Sequence, residues 1–184
     1  MIVALAGRRV DAPEADSLRF PLSNVELVRA RLHKLFLERA ATALVCSAAC
    51  GADLLALAIA GELGMRRRVI LPFTREHFRK TSVVDRPGDW GSMFDAICNK
   101  VAEQGDLVIL GCAEAAEADA YSATTSAIFD EAVRLRTGDK GNDDQSILAV
   151  IVWEGAATGN DDETAAFARE AQSRRFAVEE LRTN

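Results

Sequence analysis

Short apolar runs rich in β-branched residues alternate along the chain with stretches whose apolar side chains recur at helical spacing. The runs predict six strands, at 2–5, 42–47, 68–73, 106–112, 147–155 and 176–181. The clearest helix follows Asp89, an expected N-cap, and its apolar positions are Trp90, Met93, Phe94, Ile97, Cys98 and Val101. This alternation predicts one Rossmann-like α/β domain over residues 1–184, with a mostly parallel sheet of about six strands and helices on both faces.

Local signals mark two helix starts and one loop. Ser23 and Glu26 form an S-x-x-E capping box before the first helix. The last helix is expected to begin at Asn160 or Asp161. The polar segment 137–146 contains no apolar residue, and we expect it to be disordered.

The composition of the 184-residue chain is ordinary for a globular domain, with 49% hydrophobic and 27% charged residues. The net charge of −6 argues against sequence-independent binding of nucleic acid, which requires a basic surface. The tightest basic cluster, Arg66–Arg68, is interpreted as a solvated helix end before the third strand. We therefore expect no nucleic-acid partner.

The chain shows no sign of a membrane span, a signal peptide or a metal site. No segment approaches the ~18 apolar residues of a membrane span, and no basic region with a cleavage site opens the sequence, so we expect a cytoplasmic protein without a membrane partner. The four cysteines lack C-x-x-C spacing, which predicts reduced thiols and no metal site. We also expect no resident cofactor. They are Cys46, Cys50, Cys98 and Cys112.

Candidate binding residues follow from the predicted sheet, because ligands of open parallel sheets bind beyond the carboxyl ends of the strands. The loop after the second strand is the most informative, because small residues there allow close approach to the backbone at a helix start. Its candidates are Ser47, Ala48, Cys50, Gly51, Ala52 and Asp53. They predict a phosphate site in which Asp53 caps the helix or accepts a ribose hydroxyl. Alternatively, the small residues only let the helix pack tightly on the sheet, and Asp53 is a plain N-cap.

Charged residues after two other strands add to this site. Arg8 and Arg9 follow the first strand, where two cations indicate a nearby anion. A salt bridge to Asp11 or Glu14 is the competing explanation. Glu154, at the end of the fifth strand, is the best-placed carboxylate for acid–base catalysis or for binding a ribose.

The remaining candidates lie in the other strand-end loops or on the helix after the fourth strand. Arg86 is a candidate phosphate ligand, and Trp90 is interpreted as the first core residue of its helix in preference to a base-stacking residue. The other candidates are Gly7, Pro72, Phe73, Ser82, Asp85, Gly111 and Tyr121.

Short motifs spread over nearly the whole chain resemble the SLOG superfamily, a Rossmann-like group that includes the Smf/DprA proteins and the LOG phosphoribohydrolases. Residues 46–53 resemble the Smf/DprA pattern S-G-x-A-x-G-[IA]-D, with Cys46 and Ser47 in place of Ser-Gly. Residues 5–9, LAGRR, resemble a GHR turn in which Arg8 replaces histidine. The closer likeness is to a bacterial subgroup, through residues 71–73, 78, 82–83, 85–90, 152–155 and 161–164.

The resemblance implies a nucleotide or nucleotide-derived ligand. It does not imply catalysis, because the P-G-G-x-G-T-x-x-E motif of the LOG enzymes is absent and Ala58 stands where the subgroup has a glutamate. Our leading hypothesis is therefore a sensor of a nucleotide or an ADP-ribose-like molecule. The alternatives are an enzyme that cleaves an N-glycosidic bond, using Glu154 or Asp53, and a protein-interaction scaffold. The apolar second helix would favour a homodimer.

Overall fold

The six strands pair side by side in a computed structural model that describes residues 1–113, 116–138, 146–157, 159 and 162–184. All pairs are parallel, and the strand order is β4-β3-β2-β1-β5-β6. The strands are β1 (Ile2–Gly7), β2 (Ala43–Cys46), β3 (Arg66–Leu71), β4 (Leu107–Ile109), β5 (Ile147–Trp153) and β6 (Ala177–Arg182). The predicted Rossmann-like α/β fold is confirmed, with a sheet that is wholly parallel.

The strand order reverses between β1 and β5. The chain builds outward from β1 to β4 and then returns to place β5 on the other side of β1. Gly7 lies opposite Val152 in this pairing, so the carboxyl ends of β1 and β5 are neighbours. Such a switch in strand order opens a crevice at the carboxyl edge of a parallel sheet.

Helices cover both faces of the sheet. Successive residues of a strand point to opposite faces of the sheet. In β1, Val3 and Leu5 pack with α1, α2 and α4 on one face, whereas Ile2 and Ala4 pack with α5 and α6 on the other. The helices are α1 (Val25–Glu38), α2 (Ala52–Glu62), α3 (Arg75–Ser82), α4 (Trp90–Glu103), α5 (Glu117–Gly138) and α6 (Glu163–Ser173). In the described residues, no helix has the length and apolar character needed to cross a membrane.

Two predicted details near the first and third strands are wrong. The capping box at Ser23 and Glu26 does not form the helix start, because Leu22–Asn24 make a 3-10 turn and α1 begins at Val25 without a side-chain cap. The basic cluster Arg66–Arg68 begins β3 instead of ending a helix.

Charge pairing explains how arginines enter β3. Arg66 and Arg68 each form an ion pair at 2.8 Å with Asp106, a buried carboxylate before β4. Burial alone would raise the pKa of Asp106, but hydrogen bonds from these two arginines hold it below the usual range. A paired cluster of this kind is structural and leaves Arg66 and Arg68 engaged within the fold.

The last helix begins later than predicted. α6 starts at Glu163, and Asp162 is its N-cap, with Oδ1 accepting a hydrogen bond from the Ala165 N–H at 3.0 Å. The predicted start residues, Asn160 and Asp161, lie outside the described residues, as does 139–145 of the predicted polar loop.

Candidate functional site

A cavity of about 560 Å³ opens at the carboxyl ends of β1 and β2, beside the switch in strand order. The loop after β1, the end of α3, the first turns of α5 and the start of α6 form its walls. Phe78 and Ile128 contribute apolar surface, while arginine, carboxylate and hydroxyl side chains contribute polar surface. The cavity is large enough for a small organic ligand.

The predicted binding residues divide into two groups. Those that line the cavity are Gly7, Arg8, Arg9, Ser47, Asp53, Ser82, Arg86 and Tyr121. Those that lie elsewhere are Ala48, Cys50, Gly51, Ala52, Pro72, Phe73, Asp85, Gly111 and Glu154. The structure therefore brings the three loops after β1, β2 and β3 together, but most of the small residues before α2 are behind the cavity wall.

The loop after β1 occupies the space in front of the start of α2. A Cβ on Gly51, whose φ is +96°, would lie 2.8 Å from the Arg8 carbonyl oxygen and 2.9 Å from the Val10 nitrogen. The Ala52 N–H donates to that Arg8 carbonyl at 3.1 Å, and the Cys50 N–H donates to the Ser82 carbonyl at 3.0 Å. The predicted phosphate cradle is thus occupied by the loop after β1, and close packing explains these small residues.

Gly7 serves the same close packing. A Cβ at this position would lie 2.5 Å from the Ala52 Cβ and 2.7 Å from the Val152 Cβ. Ala48 and Ala52 are fully buried. These contacts agree with the alternative explanation for this loop, in which the small residues let α2 pack tightly on the sheet.

Arg8 lies in a closed ionic cluster. Its Nε donates to Glu154 Oε2 at 2.7 Å, and its Nη1 and Nη2 donate to Asp162 Oδ1 and Oδ2, both at 2.7 Å. Nη2 also donates to Glu154 Oε1 and to the Ala156 carbonyl, each at 3.0 Å. Burial alone would lower the pKa of Arg8, but the hydrogen bonds to Asp162 and Glu154 raise it. We call Arg8, Glu154 and Asp162 the arginine cluster.

The arginine cluster changes the interpretation of two candidates. The partners of Arg8 are Glu154 and Asp162, whereas the competing explanation named Asp11 or Glu14. Asp11 instead accepts hydrogen bonds from the backbone N–H groups of Arg19 and Phe20. Both carboxylate oxygens of Glu154 are engaged by Arg8. Glu154 is therefore held in place and poorly suited to exchange a proton with a ligand.

Asp53 is buried against the cavity with unused hydrogen-bonding capacity. The residue is 6% exposed, and its Oδ2 accepts a hydrogen bond from the Ala49 N–H at 3.2 Å. Its Oδ1 has no hydrogen-bond partner within the described part of the chain. Burial raises the pKa of this carboxyl to about 7, although the Ala49 hydrogen bond opposes the rise.

Ser47 also has a buried oxygen with unused hydrogen-bonding capacity. Its Oγ is buried and likewise lacks a hydrogen-bond partner among the described residues, and Ser47 lines the same cavity as Asp53. We call Asp53 and Ser47 the open pair. Buried polar atoms without partners are rare in folded proteins, so these two atoms make the cavity wall a candidate binding site.

Arg9 and Arg86 form a cationic edge on the same cavity. Arg9 Nη1 lies 2.8 Å from Asp85 Oδ2, and Arg86 Nε lies 3.3 Å from the same oxygen. Their side chains remain 32% and 24% exposed, respectively. The two guanidinium groups share one carboxylate, Asp85, while Asp11 and Asp16 also line the cavity.

Tyr121 and Ser82 meet across the cavity wall, with 3.3 Å between the Tyr121 hydroxyl and Ser82 Oγ. Phe73 is buried and packs edge-on against the Tyr121 ring, with a centroid distance of 6.1 Å.

Pro72 is also buried, and its carbonyl accepts a hydrogen bond from the Cys112 N–H. Gly111 is exposed beyond β4. Pro72 and Phe73 therefore support the wall from outside the cavity.

Sequence reasoning missed part of the wall on α5. Thr124, Thr125 and Ile128 line the cavity together with Tyr121. Their spacing of three, four and seven residues from Tyr121 is that of one helix face, so extending the prediction along this helix would have found them. Asp162 was also missed as the partner of Arg8, although it lies in residues 161–164, one of the segments that carry the resemblance to the SLOG superfamily.

No protein-family model matches the chain, and no curated protein matches it in sequence. The resemblance to the SLOG superfamily therefore stays a prediction. In the described residues, no group of three or more His, Cys, Asp or Glu side chains could hold a metal ion.

Proposed function

We propose that the protein binds a nucleotide or a nucleotide-derived molecule such as ADP-ribose in the cavity at the carboxyl ends of β1 and β2. The open pair is the observation that carries this proposal. An unsatisfied buried polar group costs on the order of 1–3 kcal/mol, which a ligand with matching donors would recover. A cavity of about 560 Å³ is in the size range of small-molecule sites.

The chemistry of the walls supports a nucleotide over other small molecules. Asp53 and Ser47 suit a hydroxyl-bearing group, Arg9 and Arg86 suit a phosphate, and the buried Phe78 and Ile128 make part of the wall apolar. The position beside the strand-order switch is the usual place for nucleotides in Rossmann-like folds.

Calorimetric titration with the common nucleoside 5′-monophosphates and ADP-ribose tests the proposal. We expect at least one to bind with a Kd in the micromolar range, and Asp53→Asn to weaken that binding about tenfold. Asp130→Asn, at an exposed carboxylate on α5 outside the cavity, is the matched control and should bind like wild type. If none of these molecules binds at millimolar concentration, the proposal is wrong.

A second candidate function is cleavage of an N-glycosidic bond. One observation favours it: the Asp53 carboxyl, with a pKa raised to about 7 by burial, can both give and take a proton near neutral pH. Cleavage develops positive charge on the sugar, which a carboxylate stabilises.

Release of free base from nucleoside 5′-monophosphates would reveal this activity. We expect any such activity to fall at least about a hundredfold in Asp53→Asn and to survive in Glu154→Gln, because Glu154 is held by Arg8. Activity lost in the Glu154 variant but kept in the Asp53 variant would exclude Asp53 as the proton-transfer group.

A further inference from the structure

We infer that the ligand lies with its phosphate against Arg9 and Arg86 and its uncharged, hydroxyl-bearing end against Asp53 and Ser47. This orientation rests on the proposed function and makes it more specific. It is opposite to the expectation that phosphate sits at the start of α2. The ligand class that fits is a nucleoside 5′-phosphate bound with its nucleoside end inward.

Two features make the start of α2 less suitable for phosphate than the Arg9–Arg86 edge. The Ala52 N–H already donates to the Arg8 carbonyl and the Leu54 N–H to the Ala49 carbonyl, so these amides are not available to a ligand. Asp53 lies at the same place with an unpartnered oxygen. A phosphate there would face a carboxyl that becomes negative as it ionises, and like charges repel.

Arg8 is also engaged by other groups of the protein, so it cannot bind the phosphate in place of the engaged amides. It is 8% exposed, and its three guanidinium nitrogens all donate to Glu154 or Asp162. The guanidinium of Arg8 is held between two carboxylates, which a phosphate at the β5 side of the cavity would have to displace.

At the Arg9–Arg86 edge, two guanidinium groups share one carboxylate. Asp85 compensates one of the two positive charges and lies outside the cavity, whereas both arginines line it. Their side chains are partly exposed, so an incoming phosphate can reach them without displacing buried groups. Guanidinium groups bind phosphate oxygens through paired N–H donors.

The open pair is complementary to the other end of such a ligand. The hydroxyls of a ribose and the amide or amino edge of a base both provide donors for Asp53 Oδ1 and partners for the Ser47 hydroxyl. Because Asp53 is 94% buried, the group that it contacts must enter the cavity first. The phosphate then remains at the more exposed arginine edge.

The experiment compares the tightest-binding nucleoside 5′-monophosphate with its own nucleoside, using calorimetry on the full chain. The ratio of the two Kd values measures the contribution of the phosphate. We expect Arg9→Gln and Arg86→Gln each to weaken monophosphate binding about tenfold while changing nucleoside binding less than about twofold. Asp53→Asn should weaken both ligands similarly and leave the ratio unchanged.

Arg29→Gln is the matched control, because Arg29 is 33% exposed, pairs with one carboxylate and lies on α1 outside the cavity. Circular dichroism checks that each variant folds. Arg19 is a further arginine that lines the cavity. The orientation is wrong if Asp53→Asn tightens binding of the monophosphate but not of the nucleoside, or if the ratio changes in Arg19→Gln but in neither Arg9→Gln nor Arg86→Gln. It is also wrong if no monophosphate binds, whereas the proposed function fails only if ADP-ribose does not bind either.

Discussion

The arginine cluster and the open pair lie at the same edge of the sheet but differ in how their polar atoms are satisfied. In the arginine cluster, every guanidinium nitrogen of Arg8 has a carboxylate partner. In the open pair, Asp53 Oδ1 and Ser47 Oγ have no hydrogen-bond partner among the described residues. Charge at a strand end can be neutralised within the fold, whereas the unmet hydrogen-bonding capacity of the open pair remains for the proposed ligand.

The largest expected effect comes from breaking the arginine cluster. Arg8→Met keeps much of the side-chain volume but removes the guanidinium that pairs with Glu154 and with the buried Asp162. We expect the free energy of unfolding, measured in urea at neutral pH, to fall by about 3–5 kcal/mol. Glu154→Gln should cost less, because the more buried Asp162 keeps its partner. A loss below about 1 kcal/mol in Arg8→Met would show that the cluster is not structural.

The next effect concerns the pH dependence of stability that Asp53 creates. Its pKa is raised from 3.8 to about 7 in the folded protein, so the folded state holds the proton more tightly than the unfolded chain. This contribution to stability is fully present below about pH 4, decreases as the pH rises, and is lost once the pH passes about 7.

Asp53→Asn should remove that dependence. At about pH 8 we expect the variant to be more stable than wild type by roughly 2 kcal/mol, since it avoids a buried charge but adds an amide donor without a partner. Urea unfolding at several pH values measures the difference, with Asp130→Asn as the exposed control. If the wild-type and Asp53→Asn stabilities differ by a constant amount between about pH 4 and 8, the pKa of Asp53 is not raised.

The contrast between the two regions also explains what sequence reasoning could predict. Strand and helix periods are local, so the order of elements and the parallel sheet followed from the pattern of apolar residues. The partners of Arg8 are 146 and 154 residues away, and nearby Asp11 and Glu14 were the only carboxylates that local reasoning considered. Long-range ion pairs of this kind leave no local spacing to detect.

The loop before α2 shows a second limit. Its small residues predict that a ligand approaches the backbone closely, but the group that does so in the structure is the chain itself at residues 8–10, which the spacing could not reveal. Asp53 and Ser47 were candidates because of their position after β2. Their unsatisfied atoms depend on which neighbours surround them, and only the three-dimensional arrangement determines that.

The smallest expected effect compares two serines on the same cavity wall. Ser82 Oγ lies 3.3 Å from the Tyr121 hydroxyl, whereas Ser47 Oγ is buried without a partner among the described residues. Ser82→Ala removes a hydrogen bond and leaves Tyr121 with one partner fewer, so we expect urea unfolding to show a loss of about 1 kcal/mol. Ser47→Ala removes only an unsatisfied group, so stability without ligand should be unchanged or up to about 1 kcal/mol higher.

The same Ser47→Ala variant should bind a nucleotide less tightly, by about threefold to tenfold, because the ligand then loses the hydroxyl as a partner. A substitution that does not lower stability but weakens binding is expected only where the side chain forms its hydrogen bond in the complex and not in the free protein. If Ser47→Ala destabilises the protein as much as Ser82→Ala does, Ser47 is already satisfied without ligand, and the distinction between a closed cluster and an open pair fails at that residue.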